Sequence, residues 1–236
     1  MRNLYYTYLY KVTYKLWMLF TKLSNTYGLA LMYHHVTDED IDAMEICKCR
    51  VSVFENVLEK LRTEGYVFVN IDEALQYIKN RTKKKFVIVT FDDVPENVYQ
   101  NAYPILKKLN IPFTLFMTTD FIDKPGYLTK AELLEMDLDP LCTIGAHTKS
   151  HLTLRGASNS FEEMSESKMI LEKLVGHPID YMAYPYGLQI SVSRKAMKQA
   201  KAIGYKCAFG TIQTPISDFS SHFMYYLPRV IMNQPL

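Results

Sequence analysis

Two short stretches carry side chains whose types and spacing could do chemistry. At residues 90–94 the chain reads Thr-Phe-Asp-Asp-Val, directly after the apolar run "KFVIV". Two carboxylates side by side at the end of a buried strand repel each other, which raises one pKa unless a cation sits beside them. A metal ion would resolve the difficulty, with one carboxylate as a ligand and the other left free as a base. The second stretch is His-Thr-Lys-Ser-His at 147–151, just after "TIGA". Two histidines at i and i+4 can point the same way on one turn of helix. Together, Asp, His, His and an open position for water make a hydrolytic metal site. Each pattern alone is weak, because Asp-Asp pairs often cap helices and HxxxH arises by chance. At successive strand ends and in this order, the two are far more specific.

The elements that must position these groups are legible as alternating patterns. Strand-like runs are predicted over Leu29 to Tyr33, Phe86 to Phe91, Phe113 to Thr118, Thr143 to Ala146, Tyr181 to Tyr184, Lys206 to Phe209 and Leu227 to Met232. Helical patterns fall between them, over Val53 to Glu64, Ile71 to Asn80, Glu96 to Leu109, Thr129 to Met136, Phe161 to Val175 and Ser191 to Ile203. Asn159 and the residues after it read as a helix N-cap. Strictly alternating strands and helices imply parallel strands with crossover helices. The expected fold is therefore α/β, a distorted (β/α) barrel with seven or eight parallel strands. In such folds chemistry collects at the carboxyl ends of the strands, where both motifs fall.

With 236 residues, 48% apolar and 22% charged, the chain suits one globular domain of barrel size. A net charge of +2 argues against a nucleic-acid partner. Cys47, Cys49, Cys142 and Cys207 form no zinc-finger spacing, and free thiols are the better reading of them than a metal-binding Cys-Lys-Cys pair. Arg2, Lys11, Lys15 and Lys22 are the only charged residues before Asp38. They lie among Tyr, Leu, Phe and Trp at helical spacing. Residues 1–27 read as a basic amphipathic helix, and 28–236 as the catalytic domain. No uncharged run reaches the roughly 20 residues of a membrane span, and no signal-peptide cleavage site is recognised. Residues 1–23 fit either an interfacial segment on an anionic membrane or a helix packed outside the domain. A cytoplasmic, membrane-associated location is the expectation.

The motifs carry a resemblance. "TFDDV" resembles the TFDDG motif of the polysaccharide deacetylase family, "HTKSH" its H-[ST]-x-x-H motif, and "AYPYG" at 183–187 its third motif, which often reads R-P-P-Y-G. "LMYHHV" and the stretch from Phe54 to Tyr66 are similar to the subgroup acting on poly-N-acetylglucosamine. The resemblance runs from about residue 29 to 232. It implies a metal-dependent N-deacetylase of an N-acetylated glycan or glycolipid. Asp92 would be the general base acting on water, with Asp93, His147 and His151 the ligands of Zn2+ (Co2+, Ni2+ or Mn2+ being alternatives). The backbone N–H of Tyr186 would help hold the oxyanion, and Tyr184, Pro185, Tyr186 and Gly187 would shape the substrate loop.

Three departures bear on catalysis. Val94 replaces the family's glycine, and a left-handed backbone is not expected there because it would strain a β-branched residue. Ala183 replaces an arginine that orients the base, and Arg229 is expected to supply that cation. The family's late Leu-x-x-His motif, source of the proton donor, is missing after residue 187. Leu174–His177 fits its pattern but precedes the third motif, and is read as chance. His34 is the expected general acid, with His35 the alternative. Among 18 tyrosines, Tyr33, Tyr184 and Tyr186 could stack on sugar rings. Asp218 and His222 could line the groove, although solvated loop positions fit them better. Two other readings stay open: an O-acetyl esterase or cyclic amide or imide hydrolase on the same fold, and a glycan-binding module with an impaired site.

Overall fold

In the computed structural model of the chain, residues 27–233 are described; the helix expected over residues 1–27 lies outside them apart from Tyr27. The strands are β1 (Tyr27–Tyr33), β2 (His35–Val36), β3 (Lys48–Cys49), β4 (Val67–Phe68), β5 (Lys85–Asp92), β6 (Phe113–Met117), β7 (Cys142–Ala146), β8 (Tyr181–Ala183), β9 (Cys207–Phe209) and β10 (Ile216–Ser217). The helices are α1 (Val51–Thr63), α2 (Ile71–Lys79), α3 (Tyr103–Leu109), α4 (Lys130–Asp137), α5 (Ser160–Val175) and α6 (Arg194–Ile203). One sheet runs β10-β1-β5-β6-β7-β8-β9, with β4 beside the start of β5, and every pairing but β10 with β1 is parallel. The α/β expectation of parallel strands with crossover helices holds.

Closure differs from expectation. Residues 227–232 form no continuous strand; they touch β9 through a bridge between Phe209 and Leu227, and β1 through one between Leu31 and Val230. Pro228 between them has no N–H to donate, so a regular ladder cannot form. The sheet therefore curls into an irregular barrel whose last gap is spanned by isolated bridges.

Strand side chains divide between two cores. One set packs outward against α1, α3, α5 and α6, including Leu29, Leu31, Val87, Val89 and Leu115. The alternate set fills the interior: Ala30, Phe86, Ile88, Phe116, Tyr181 and Phe209. Helix α2 stops the lower end of the barrel, adding Ile71, Ala74 and Ile78 to this inner core. The helix is started by a capping box between Asn70 and Glu73, and α4 by one between Thr129 and Glu132.

Two expected helices are interrupted. Over Glu96 to Leu109 a π-helical turn, Val98–Ala102, precedes α3. Pro104 cannot donate to the carbonyl four residues back, so the regular ladder is lost there. Helix α6 begins at Arg194 rather than Ser191, because Ser193 accepts from the Ala196 N–H and serves as its N-cap. Asn159 makes no side-chain cap to α5; a residue of that first turn, Glu163, has another task.

Candidate active site

The ligand candidates come from the carboxyl ends of two strands that flank β6, with Asp93 after β5 and His147 and His151 on the loop after β7. Asp92 is the last residue of β5 and Asp93 follows it, while His147 follows β7. One ligand atom from each of Asp93, His147 and His151 lies within 4.8 Å of the others, the one such cluster among the described residues. The expected helical turn is absent. His147 to His151 is a loop, with Thr148 at φ 67° and His151 at φ 60°. Left-handed backbone, rather than a helix face, turns the two rings together, with centroids 5.1 Å apart.

Neighbours hold that loop on both sides. His147 N–H donates to Met117 O at 2.8 Å, and Asp120 N–H to Lys149 O at 2.9 Å. From α5 the buried Glu163 carboxylate accepts from Ser150 N–H (2.9 Å) and Ser150 Oγ (2.8 Å). The donors are also oriented. His147 Nδ1–H donates to Ala183 O at 2.9 Å, which leaves Nε2 as the free lone pair. Burial pushes this ring below the usual imidazole pKa, although Asp92 and Asp93 pull it upward; the net shift is toward the neutral form that a ligand needs. Thr118 Oγ1 donates to Asp93 Oδ1 at 2.8 Å. One carboxylate and two imidazoles, each aimed by a neighbour, fit a divalent transition metal with open positions left for water and substrate.

Asp92 is fully enclosed, and Arg229, 0% exposed, grips it side-on. Nη1 reaches Oδ1 at 2.5 Å and Nη2 reaches Oδ2 at 2.6 Å. The guanidinium also donates to Gly210 O and Thr90 Oγ1, and lies over the Phe116 ring. Burial alone would raise the Asp92 pKa. Arg229, with His147 and His34 behind it, holds it well below the usual carboxylate range. The carboxylate pair at the strand end thus has its cation in Arg229, on the segment after β10 rather than at position 183. Asp92 Oδ2 lies 3.9 Å from His147 Nε2.

Val94 corrects the sequence expectation. It stands at φ 52°, directly after Asp93 at φ 60°, so the backbone is left-handed where the side chain is β-branched. The turn is locked by Val94 N–H on Asp92 O at 2.6 Å, and by the strap 126–128, which bonds Glu96 and Val94. Val94 is fully buried, and its packing offsets a strain of roughly 1–3 kcal/mol.

The two histidines at the end of β1 part company. His34 is half-buried and directly follows Tyr33, whose register partner on β5 is Phe91, so it stands at the strand end beside Asp92. Burial lowers its pKa more than the carboxylates raise it. His35 instead has its Nδ1 on the Asn97 amide at 3.0 Å, and Asn97 Oδ1 accepts from Val36 N–H. That is a structural role.

In the third motif, Tyr186 stands at φ 60° with its ring exposed and edge-on to His151, centroids 4.8 Å apart. Gly187 at φ 57° leaves no room for a Cβ, which would meet Thr211 Cγ2 at 2.4 Å and Thr211 N at 2.8 Å. The Gly187 carbonyl accepts from Tyr226 Oη at 2.7 Å and Thr211 N at 3.0 Å. Pro185 is buried beneath the loop. Tyr184 and Tyr33 cannot touch a sugar. Tyr184 is fully buried with its hydroxyl on Tyr225 O, and Tyr33 packs edge-on to Phe54. The aromatic rim is Tyr186, Phe121 and Tyr127, the last two with rings 4.6 Å apart and Phe121 stacked on His151. His222 and Asp218 fall on the 3-10 helix Asp218–His222 at the opposite end of the barrel. The four cysteines are free. Cys49 is buried, and Cys47 lies near Asp92 and Asp93, its thiol pushed up to about 11 by burial first and those charges second.

Sequence reasoning missed Thr118, Asn97, Glu163 and Thr211, single polar residues with no spacing to signal them.

Comparison with known proteins agrees with this geometry. The family model for polysaccharide deacetylase matches residues 79–208. The poly-beta-1,6-N-acetyl-D-glucosamine N-deacetylase of Staphylococcus aureus (strain MSSA476) is 29% identical over 239 residues, covering 90% of this chain and 81% of that one. The Streptococcus pyogenes deacetylase PplD, solved in complex with acetate, superposes with a TM-score of 0.79 at 26% identity, covering 89% of this chain and 94% of that one. BC0361, a polysaccharide deacetylase from Bacillus cereus, gives a TM-score of 0.77 at 28% identity over 88% of this chain; the match spans only 65% of its own length.

Proposed function

This chain belongs to the polysaccharide deacetylase family, and on that premise we propose that it hydrolyses the acetamide of N-acetylglucosamine residues in a glycan. One observation carries the reading: the Asp93, His147 and His151 donors converge beside an Asp92 whose charge is held by Arg229. The activity named for the Staphylococcus aureus relative, and the acetate found in PplD, point the same way.

A divalent cation held by Asp93, His147 and His151, Zn2+ suiting this donor set best, would supply Lewis acidity toward water and the acetamide oxygen. Asp92 takes a proton from the attacking water as general base. Arg229 is a positioning residue, fixing the plane of that carboxylate. The Tyr186 backbone N–H faces the developing oxyanion as second donor. When the carbon–nitrogen bond breaks, the amine nitrogen needs a proton, because an amide anion leaves poorly; His34 delivers it. Acetate and the free amino sugar are the products. Tyr186, Phe121 and Tyr127 offer ring faces and edges to the sugar.

The experiment is acetate release from a panel of N- and O-acetylated oligosaccharides, using stripped and zinc-reloaded protein. Asp93→Ala, His147→Ala and His151→Ala should each lose the bound ion. Asp92→Asn should keep the ion and lose at least roughly 10²-fold in rate. Full metal content in all three ligand variants, or a near wild-type Asp92→Asn, would sink the mechanism. Release from esters alone would make the protein an O-acetyl esterase.

A further inference from the structure

The end of the barrel opposite the site carries a surface that the chemistry does not use. Strand β1 begins there with Tyr27, which pairs with Ser217 of β10 on one side and Lys85 of β5 on the other. Directly after Ser217, the 3-10 helix Asp218–His222 packs against α2 and leaves Phe219 74% and Phe223 62% exposed. From the last residue of α2 to the first of β5, the run Lys79, Arg81, Lys83, Lys84 and Lys85 is exposed at every basic position and contains no acid. Among the acidic groups of this end, Asp72 and Asp180 face Lys206, and Glu73 closes the cap of α2; Asp218, directly before Phe219, is the acid within the face itself. The sequence before β1 carries Arg2, Lys11, Lys15 and Lys22 among aromatic and aliphatic residues.

We propose that this floor is a docking face for an anionic lipid bilayer, with Phe219 and Phe223 entering the interfacial layer and the basic run 79–85 meeting the headgroups. The combination selects the partner. A polyanion such as nucleic acid would use the lysines but has no call for two solvated phenylalanines, whereas an interface rewards aromatic rings and cations side by side. Two large apolar rings exposed next to five cations are costly in water and suited to a boundary. The geometry also sets the height of the site. Strands of seven to eight residues place the carboxyl ends roughly 20 Å above the floor once barrel tilt is allowed for. A protein seated this way turns its site away from the lipid. It would reach sugars well out along a glycan chain, and not those next to a lipid anchor.

The test is sedimentation of the full chain with vesicles of neutral phosphatidylcholine, and of phosphatidylcholine mixed with phosphatidylglycerol. Binding should appear on the anionic vesicles and weaken with salt. The triple variant Lys79→Gln, Arg81→Gln, Lys83→Gln, which leaves Lys84 and Lys85 on their rings Tyr77 and Tyr66, should weaken it by about 100-fold, at roughly fivefold per cation. Phe219→Ser with Phe223→Ser should weaken it roughly 10- to 30-fold. Both variants should keep wild-type acetate release from a soluble oligosaccharide, which shows that they fold. Equal binding to neutral vesicles, or anionic binding untouched by either variant, overturns the proposal. Loss in the basic variant alone, together with full displacement by a soluble polyanion, would overturn the lipid assignment in favour of a polyanion.

Discussion

The two ends of the barrel handle left-handed backbone differently. At the floor, where helices end, the chain turns through Gly65, Gly176 and Gly204, each with open space where a Cβ would be, with Arg81 and the helix-capping Asn110 as the non-glycine exceptions. That is the inexpensive way to stop a helix. At the mouth, Asp93, Val94, Thr148, His151 and Tyr186 all take positive φ with side chains attached. Charge follows the same division. Floor pairs such as Lys206 with Asp180, and His177 with Asp137, are solvated on at least one side, whereas Arg229 with Asp92 is sealed. Strain and buried charge are concentrated where side chains must converge, and the surrounding packing holds them there.

The sharpest way to break this contrast is at the sealed pair. Arg229→Met should abolish deacetylation and cost about 3–5 kcal/mol, because a buried carboxylate is left alone. Adding Asp92→Leu should restore most of the stability and none of the activity, as read from denaturant unfolding beside acetate release. If the single variant unfolds like wild type, the mouth is wetter than its burial implies.

Next in size is His34→Ala, expected to slow amide hydrolysis roughly 10²- to 10⁴-fold while affecting an aryl acetate far less, since a phenolate leaves unprotonated. Burial lowers the His34 pKa. The protonated acid is therefore lost on the alkaline side, starting at or below the pH where an exposed histidine titrates, near 6.5. That limb should vanish in the variant. Equal losses on both substrates would make His34 structural.

Val94→Gly tests the strain directly. Relief of roughly 1–3 kcal/mol opposes the loss of a buried valine, roughly 1.5–3 kcal/mol, so the net loss should not exceed about 2 kcal/mol, with activity kept. A loss well above that would show that Val94 packs without strain to relieve.

The smallest effect belongs to the floor. Although burial lowers the His177 pKa, the bond to Asp137 outweighs it, and the net shift is upward. Its contribution is therefore full below about pH 6.5 and fades as pH rises through the raised folded value. His177→Gln should lower Tm slightly at about pH 5.5 and not at about pH 9. A constant difference across that range would assign the effect to packing.

How much of this was legible depends on the kind of signal. Strands β5, β6 and β7 were readable because buried parallel strands are continuous apolar runs. Asp92, Asp93, His147 and His151 were readable because chemistry demands their types at strand ends. The loop form of 147–151 was not, since i, i+4 spacing fits a helix as well as a folded loop, and Glu163 decides between them from 13 residues beyond Ser150. Val94 misled for the opposite reason: propensity opposes φ 52° there, and tertiary packing overrides it. Tyr33 and Tyr184 were named for their chemistry, yet strand alternation turns both outward, into the core beneath the helices. Residues 227–232 looked like a strand by composition, and Pro228 reduces them to two bridges.

The inner core has a consequence for traffic. With Phe86, Tyr181 and Phe209 filling the barrel and α2 stopping its floor, the interior offers no second exit. Acetate must leave through the opening by which the glycan enters. Product release and substrate entry then compete for one doorway, and added acetate should act as an inhibitor competitive with the sugar.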